Sequence, residues 1–217
     1  MFKKFFNKNT DAPKPLLAPM HITVDRSVTI NRLAFAFWGQ DTLLELPDVK
    51  GDLTLHILAQ GEVDLGEGQH IYRMYPDADT LLLQLTGPKV TDPATPYDDI
   101  VLWYYHNVLY PNTSEDWNKI QTSLTTATLS YADTTWHRTW FDGDCSVQKP
   151  VSYWETVYKT RFEKNAERIF ETTMLYHRTL GDGETELLQV VMEEPDVGDR
   201  CVSYMIGRIL NPQQISV

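Results

Sequence analysis

Two similar stretches of the chain decide its fold: HIYRMYPDADTLLLQL at residues 70–85 and LYHRTLGDGETELLQV at residues 175–190. In each stretch, a run that contains Tyr, His and Arg is followed by an acidic turn and then by an apolar run. A turn rich in Asp or Gly between two such runs is typical of a β-hairpin. The two stretches therefore predict two β-hairpins of related sequence.

Further apolar and β-branched runs extend this pattern along the chain. They follow at short intervals, separated by Pro, Gly and Asp, and DIVLWYYHNVLY (99–110) is apolar on both faces, as in a central buried strand. We predict a mainly β fold, with α+β as the alternative. Its body is an antiparallel sandwich or barrel-like structure built from two hairpin-rich halves, at about residues 21–110 and 125–217. Together these halves form a single β-rich domain, residues 21–217.

One or two short helices interrupt the predicted strands. Ser114 precedes an acidic turn and an apolar stripe of Trp117, Ile120 and Leu124, which predicts a helix with Ser114 as its N-cap. The second candidate helix is RFEKNAERIFE at residues 161–171, whose apolar residues lie on one side of a helix.

The first residues of the chain form a basic, proline-containing tail, residues 1–20. Phenylalanines and lysines are interleaved at its start, namely Phe2, Lys3, Lys4, Phe5, Phe6 and Lys8. Aromatic rings enter the headgroup region of a bilayer and lysines face anionic lipid, so one hypothesis is a weak peripheral membrane anchor. The alternative is an ordinary frayed terminus.

The charge distribution limits the expected partners and compartment. The net charge is −11; residues 1–14 carry four lysines against Asp11, or +3, so the rest carries −11 − 3 = −14. An acidic body repels phosphate backbones, so we predict no nucleic-acid binding. The chain lacks an apolar stretch of about 18 residues. Cys145 and Cys201 lack metal or redox spacing, so we predict a cytoplasmic location, with any membrane contact at the inner face.

Arginines beside acidic turns are the candidate ligand-binding groups. The full set is Arg73, Asp77, Asp79, Arg138, Arg178, Asp182 and Glu184. Guanidinium groups bind carboxylates and other anions through two parallel hydrogen bonds, so the three arginines could form an anion site. The alternative is that each arginine pairs across its own hairpin with the adjacent Asp.

No sequence motif assigns catalysis, a metal or a cofactor. The chain lacks GxSxG, Walker and GxGxxG patterns, and its six histidines do not have the spacing of a metal site. We interpret Glu193, Glu194, Asp196 and Asp199 as a solvated loop rather than as calcium ligands. We therefore expect no catalytic residues, no metal and no cofactor, although distant residues could still assemble a site.

Several segments resemble the YjfK-like proteins, a bacterial family defined by a domain of unknown function. They are GEVDLGEGQHIYRMYPDADTLLLQL, WYYHN followed by SEDW, WHRTW, PVSYWETVY, MLYHRTL, and ETELLQVVMEE before SYMIGRIL. The family has no activity, cofactor or catalytic residue to transfer. The resemblance implies a bacterial protein whose gene lies near those for membrane-remodelling proteins similar to phage-shock protein A. By association, it implies an envelope-stress role.

Three functional hypotheses are compatible with these observations. The first is a non-enzymatic binding or adaptor module at the membrane face, with a protein partner similar to phage-shock protein A. The second is a small-ligand binder or enzyme that uses the arginine and carboxylate groups of the hairpins. The third is a structural subunit of a larger assembly.

Overall fold

The computed structural model describes residues 14–36, 38, 41–47, 51–94, 97, 99–141, 147–162 and 165–217. Its strands are β1 (Ser27–Ile30), β2 (Leu53–Gly66), β3 (Gln69–Pro76), β4 (Leu81–Pro88), β5 (Asp99–Leu109), β6 (Thr128–Tyr131), β7 (Thr134–Arg138), β8 (Val151–Tyr158), β9 (Glu167–Thr179), β10 (Thr185–Pro195), β11 (Cys201–Leu210) and β12 (Ile215–Ser216). Helix α1 spans Ser114–Ser123, and 3-10 helices lie at Pro19–His21, Arg32–Ala34 and Pro212–Gln214. The predicted mainly β fold is confirmed.

Eight of the strands close into an antiparallel barrel. Strands β2 to β5 form one meander, and strands β8 to β11 form the other. Two antiparallel seams join the meanders, β5 with β11 and β2 with β8. Of the two predicted bodies, the barrel is therefore the correct one. Closure also pairs the outer strand edges of both meanders, which would otherwise be free.

Two β-ribbons branch from the barrel because β2 and β9 extend past β8. The first part of β2 pairs with β1, and β1 pairs with β12. The last part of β9 pairs with β7, and β7 pairs with β6. These branches add side chains to the outer face of the wall.

The outer face of the first meander carries its own hydrophobic core. Outward side chains of the wall, such as Met74 and Leu83, pack with Ala18 and Ile22 of the N-terminal segment. The layer also includes Val28 of β1. Hence the first meander is covered on its outside by the chain that precedes it.

The outer face of the second meander is covered by later elements. Met174 and Leu188 pack with Trp117 of α1 and Trp136 of β7. Strands that are covered on both faces must be apolar on both. This explains why the sequence of β5 has no polar face over its first half.

The helix predicted at residues 161–171 is wrong, because β9 begins at Glu167. Its first residues pair with β8, and the rings of Trp154 and Phe170 lie 5.2 Å apart between centroids. Cross-strand aromatic packing and ladder hydrogen bonds override a local helical pattern. The N-cap of α1 also differs from the prediction: Thr113, not Ser114, accepts a hydrogen bond from the Asp116 backbone N–H. No helix among the described residues has the length and apolarity needed to cross a membrane.

The two similar hairpins, β3–β4 and β9–β10, have different registers. Eight residues lie between the last paired residues Met74 and Leu83 of the first, positions 75–82. Five lie between Thr179 and Thr185 of the second, positions 180–184. A change of register by an odd number of residues turns side chains to the opposite face of a strand.

This register difference separates residues that the sequences align. Gln84 and Gln189 both face the inside of the barrel, where they line the same cavity. Arg73 also lies inside the barrel, whereas Arg178 lies outside, over the ring of Trp136. The common strand order of the meanders is consistent with two related halves, and their duplication stays a prediction.

Candidate functional site

The barrel interior contains a buried ionic group, the Arg73 cluster, which consists of Arg73, Tyr75, Gln84, Tyr153, Glu155 and Glu171. Arg73 Nη1 lies 3.0 Å from Glu155 Oε2 and 2.5 Å from Glu171 Oε1. Arg73 Nη2 donates to the Tyr153 hydroxyl at 2.9 Å, and Nε donates to Gln84 Oε1 at 3.3 Å. An arginine of the first meander therefore binds two carboxyl groups of the second across the barrel.

Strand alternation and one glycine make room for this cluster. Tyr153 and Glu155 are two residues apart on β8, so both point inward. Gly61 of β2 pairs with Arg73 on one side and with Val157 on the other. A Cβ atom on Gly61 would lie 1.7 Å from Glu155 Oε1, so a larger residue at this position would displace the carboxyl group.

One guanidinium group faces three interior carboxyl groups. Glu193 lies opposite Glu171 on the β9–β10 ladder, and Ser203 Oγ donates to Glu193 Oε1 at 2.9 Å. Burial raises the pKa of Glu155 well above its usual value despite the attraction of Arg73, and the charge of Glu171 adds to the rise. Burial followed by repulsion from Glu171 also raises the pKa of Glu193. Arg73 thus contacts both Glu155 and Glu171, and burial favours the protonated form of Glu155 by raising its pKa.

The phenols and the thiol beside these carboxyl groups also remain protonated. Burial is the main cause that raises the pKa of Tyr75, Tyr105 and Tyr153. Burial, followed by the charge of Glu193, raises the pKa of the Cys201 thiol to about 12. Nucleophilic catalysis by sulfur requires the thiolate. These groups therefore suit a structural role better than covalent chemistry.

A cavity of about 560 Å³, the interior cavity, lies beside the Arg73 cluster. Its lining is mostly apolar and consists of Leu65, Ile71, Val101, Trp103, Trp140, Phe141, Val151, Leu175, Leu187 and Ile209, with the polar residues Gln84, Thr86, Asp99, Thr139, Tyr153 and Gln189. Leu65, Phe141 and Ile209 are substantially exposed, so the cavity opens at the barrel end where these residues lie. Gln84 and Tyr153 form its boundary with the Arg73 cluster.

The barrel wall is incomplete on one side of this cavity. Strands β2 and β8 pair only over four residue pairs, from Gln60 with Tyr158 to Val63 with Glu155. Leu65 and Val151, which line the cavity, lie beyond the last pair. The open barrel end and this unpaired stretch are adjacent, so together they give the cavity a wide mouth.

Two polar atoms of the cavity wall have no hydrogen-bond partner among the described residues: Trp103 Nε1 and Gln189 Oε1. Their residues are 2% and 1% exposed. Trp103 pairs with Gly207, Gly207 pairs with Leu187, and Gln189 is the next inward residue on β10. A Cβ atom on Gly207 would lie 2.3 Å from Trp103 Cζ3, so the six-membered ring of the indole lies over Gly207. An unpaired buried donor or acceptor destabilises by about 1–3 kcal/mol. Each atom therefore lacks a hydrogen bond that a polar group of a ligand or a water molecule could supply.

The structure does not bring the three predicted arginines together. Arg73 lies inside the barrel, and Arg178 lies outside, with Nη2 at 2.7 Å from Glu186 Oε2. Arg138 donates to the Thr125 carbonyl oxygen at 3.4 Å. Pairing with the Asp of its own turn is also wrong for Arg73 and for Arg178, since their carboxylate partners are glutamates within strands. The acidic turn after Arg138 lies outside the described residues.

The acidic residues of the turns accept hydrogen bonds from backbone N–H groups or are exposed to solvent. Asp77 Oδ1 accepts from the His56 N–H at 3.0 Å, and Asp182 Oδ1 accepts from the Glu184 N–H at 2.9 Å. The side chains of Asp79 and Glu184 are exposed. No group of three or more His, Cys, Asp or Glu side chains in the described part of the chain could hold a metal ion. Ligand binding by the predicted residues stays a prediction.

The tail residues proposed as a membrane anchor lie outside the described residues. They are Phe2, Lys3, Lys4, Phe5, Phe6 and Lys8. Their contact with a membrane stays a prediction.

Glu155, Glu171 and Tyr153 were not predicted as site residues from the sequence. The predicted solvated loop at Glu193 is wrong, because this residue lies within β10. The sequence did contain an indication of Glu155, because VSYWETVY has a single carboxylate in the middle of a run of β-branched and aromatic residues. The partner could not be identified, since Arg73 lies 82 residues from Glu155 along the chain.

Comparison with known proteins places the chain in a family. A family model described as "Protein of unknown function (DUF2491)" matches residues 1–216. The chain belongs to this family. The Uncharacterized protein YjfK of Escherichia coli (strain K12) is 25% identical over 205 residues, which cover 91% of this chain and 88% of that protein. The resemblance to YjfK-like proteins is thereby confirmed. No solved structure matches the chain.

Proposed function

We propose that the protein is a non-catalytic binding module whose interior cavity holds a small, mainly apolar ligand. The observation that carries this proposal is the cavity of about 560 Å³ inside a closed eight-stranded barrel. Barrels of this size either fill their interior with side chains or hold one small ligand. This barrel fills one part with the Arg73 cluster and leaves the other part open.

The shape and chemistry of the cavity support binding of a small molecule. Its volume lies within the range of about 300–1,000 Å³ that is typical of ligand pockets. Apolar side chains dominate its wall, and a few polar groups such as Gln189 and Tyr153 lie among them. Such a combination gives affinity through apolar contact and orientation through hydrogen bonds.

The test is a titration with N-phenyl-1-naphthylamine, an uncharged dye that fluoresces in apolar sites. We expect saturable binding by the wild-type protein. Leu187→Trp adds bulk to the cavity wall and should weaken binding by about tenfold or more, equivalent to about 1.4 kcal/mol. Val197→Trp is the matched control, because Val197 is 92% exposed.

Two results would overturn the proposal. One is the absence of saturable dye binding by the wild-type protein. The other is equal binding by Leu187→Trp, provided that its circular dichroism spectrum and melting temperature show a folded barrel. If this variant does not fold, Val101→Phe places a smaller addition in the same wall.

A second candidate is the adaptor role with a membrane-remodelling partner similar to phage-shock protein A. An exposed apolar run at the end of β5 favours it: Val108, Leu109 and Tyr110 are 37%, 38% and 65% exposed. Contiguous exposed apolar surface is typical of protein contact sites. In crosslinked capture from native cells, the double variant Val108→Ser, Leu109→Ser should lose this partner, and Leu187→Trp should keep it. Equal recovery by both variants would contradict the role of this surface.

The membrane part of this candidate has its own test. Deletion of residues 1–14 removes a net charge of +3 from the chain. Cosedimentation with vesicles that contain phosphatidylserine should fall after this deletion and should be sensitive to salt. Unchanged cosedimentation would contradict a membrane anchor in the tail.

A further inference from the structure

The charge of the cavity wall restricts the class of ligand. Among the described residues that line the cavity, the charged side chain is Asp99, and none is Lys or Arg. Asp99 is the first residue of β5, and its side chain is exposed at the open end of the barrel. An anionic ligand would enter past this carboxylate and find no cation in the wall beyond it.

Arg73 does not change this conclusion, because each of its three nitrogen atoms already has a partner. Its Nη1 binds Glu155 and Glu171, its Nη2 binds the Tyr153 hydroxyl, and its Nε binds Gln84. The carboxylate of Glu171 balances its charge. The interior behind the cavity therefore has no uncompensated positive charge, and an anion there would be desolvated without a partner.

The two unpartnered atoms specify what a ligand can offer instead. Trp103 Nε1 is a donor only, and Gln189 Oε1 is an acceptor. An ammonium group can donate to Gln189 but cannot accept from Trp103, and a carboxylate can accept but cannot donate. A hydroxyl group does both.

We infer that the cavity binds an uncharged amphiphile whose hydrocarbon part contacts the apolar wall and whose hydroxyl group binds Trp103 and Gln189. This inference rests on the proposed function and adds the ligand class. A hydroxyl oxygen can accept from Trp103 Nε1, and a hydroxyl proton can be donated to Gln189 Oε1. Leu187 and Val101 belong to the apolar wall that the chain contacts.

The first experiment compares three ligands that share one hydrocarbon chain. Decanol, decanoate and decylammonium compete with N-phenyl-1-naphthylamine for the full-length wild-type protein at neutral pH. We expect decanol to displace the dye at a concentration about tenfold lower than either ion, equivalent to about 1.4 kcal/mol. Equal or better displacement by decanoate or decylammonium would overturn the inference.

The second experiment tests the two polar atoms. Gln189→Leu and Trp103→Phe remove the acceptor and the donor, and each should weaken decanol binding about tenfold more than it weakens dye binding. Thr139→Val is the control, because the Thr139 hydroxyl already has a partner in His177 Nδ1 at 3.0 Å. Unchanged decanol binding in a folded Gln189→Leu variant would overturn the assignment of the hydroxyl group to these atoms.

The results separate the inference from the proposed function. No saturable dye binding by the wild-type protein would overturn both. Saturable dye binding with a preference for an ion would overturn only the ligand class. Because the three-ligand comparison uses the wild-type protein, it remains decisive if Gln189→Leu or Trp103→Phe does not fold.

Discussion

The β3–β4 and β9–β10 hairpins have similar sequences, yet they carry their aligned arginines on opposite faces of the barrel wall. Arg73 is 2% exposed and binds Glu155 and Glu171, which both belong to the other meander. Arg178 has a side chain that is 14% exposed and binds Glu186 of its own hairpin. The ion pairs of Arg73 thus join the two meanders, whereas the ion pair of Arg178 lies within one hairpin. Arg178 Nη2 also donates to the Asp41 carbonyl oxygen at 2.6 Å, in the segment before β2.

The cause of this difference is the length of the connection between paired strands. The connection in the β3–β4 hairpin has eight residues, and the connection in the β9–β10 hairpin has five. When β3 and β9 are aligned by sequence, β4 and β10 therefore pair with them in different registers. Similar sequences therefore predict similar hairpins, but they do not predict which side chains share a face. The assignment of the arginines to one common site failed for this reason.

The strongest test of the comparison is Arg73→Met. This change leaves Glu155 and Glu171 buried without a cation and should lower the free energy of unfolding by about 3–5 kcal/mol. Urea denaturation measures it, with Arg32→Met at an exposed position as the control. The triple variant Arg73→Met, Glu155→Gln, Glu171→Gln should recover much of the loss, since it removes the charges together. A loss no larger than that of Arg32→Met would contradict the buried ion pair.

Arg178→Met should have a smaller effect. Glu186 keeps a donor in the Leu43 N–H at 3.0 Å and another in the Thr42 hydroxyl, and Arg178 is partly exposed. We expect a loss of about 2–3 kcal/mol in the free energy of unfolding, below that of a fully buried pair. Urea denaturation of both arginine variants side by side measures the difference. If Arg178→Met lowered the free energy of unfolding as much as Arg73→Met or more, the expected difference between the two arginines would be contradicted.

Gly207→Ala tests how closely Trp103 packs against the inner face of the barrel wall. The new Cβ atom would lie 2.3 Å from the Trp103 ring, so the indole or the strand must move. Overpacking of this kind should lower the free energy of unfolding by about 1–2 kcal/mol. Gly51→Ala is the control, because no atom lies within 4 Å of its Cβ position. Equal thermal stability of the two variants would contradict the position of Trp103.

The pH dependence of stability tests the buried carboxyl groups of the Arg73 cluster. The folded protein holds the Glu155 proton to a higher pH than the unfolded chain, whose Glu pKa is near 4.5. The free energy of unfolding should therefore fall as the pH rises through the range above 4.5, because the folded state binds the extra proton there. Glu193 contributes with the same sign.

Glu155→Gln should reduce this slope without removing it. Urea midpoints measured between about pH 5 and pH 8 give the slope directly. Glu194→Gln, at an exposed position next to Glu193, should keep the wild-type slope. The assignment of the proton to Glu155 would be contradicted if both variants had the same slope as the wild-type protein.

The parts of the fold that depend on short-range pattern were predictable from the sequence. Alternation and turn residues predicted the hairpins, and the apolar faces of β5 predicted a central strand. The 161–171 segment was not predictable in this way. Its spacing suits a helix locally, and only pairing with β8 makes it a strand.

By itself, the sequence determined that this protein is mainly β, acidic and built from similar hairpins, because these properties come from composition and from neighbouring residues. The closure of the barrel, the register of its hairpins and the position of its cavity were decided only by the tertiary structure. Arg73 and Glu171 are 98 residues apart, and the two residues with unpartnered polar atoms, Trp103 and Gln189, lie on strands β5 and β10. Contacts of this kind depend on which strands meet at a seam, and no local pattern specifies that meeting.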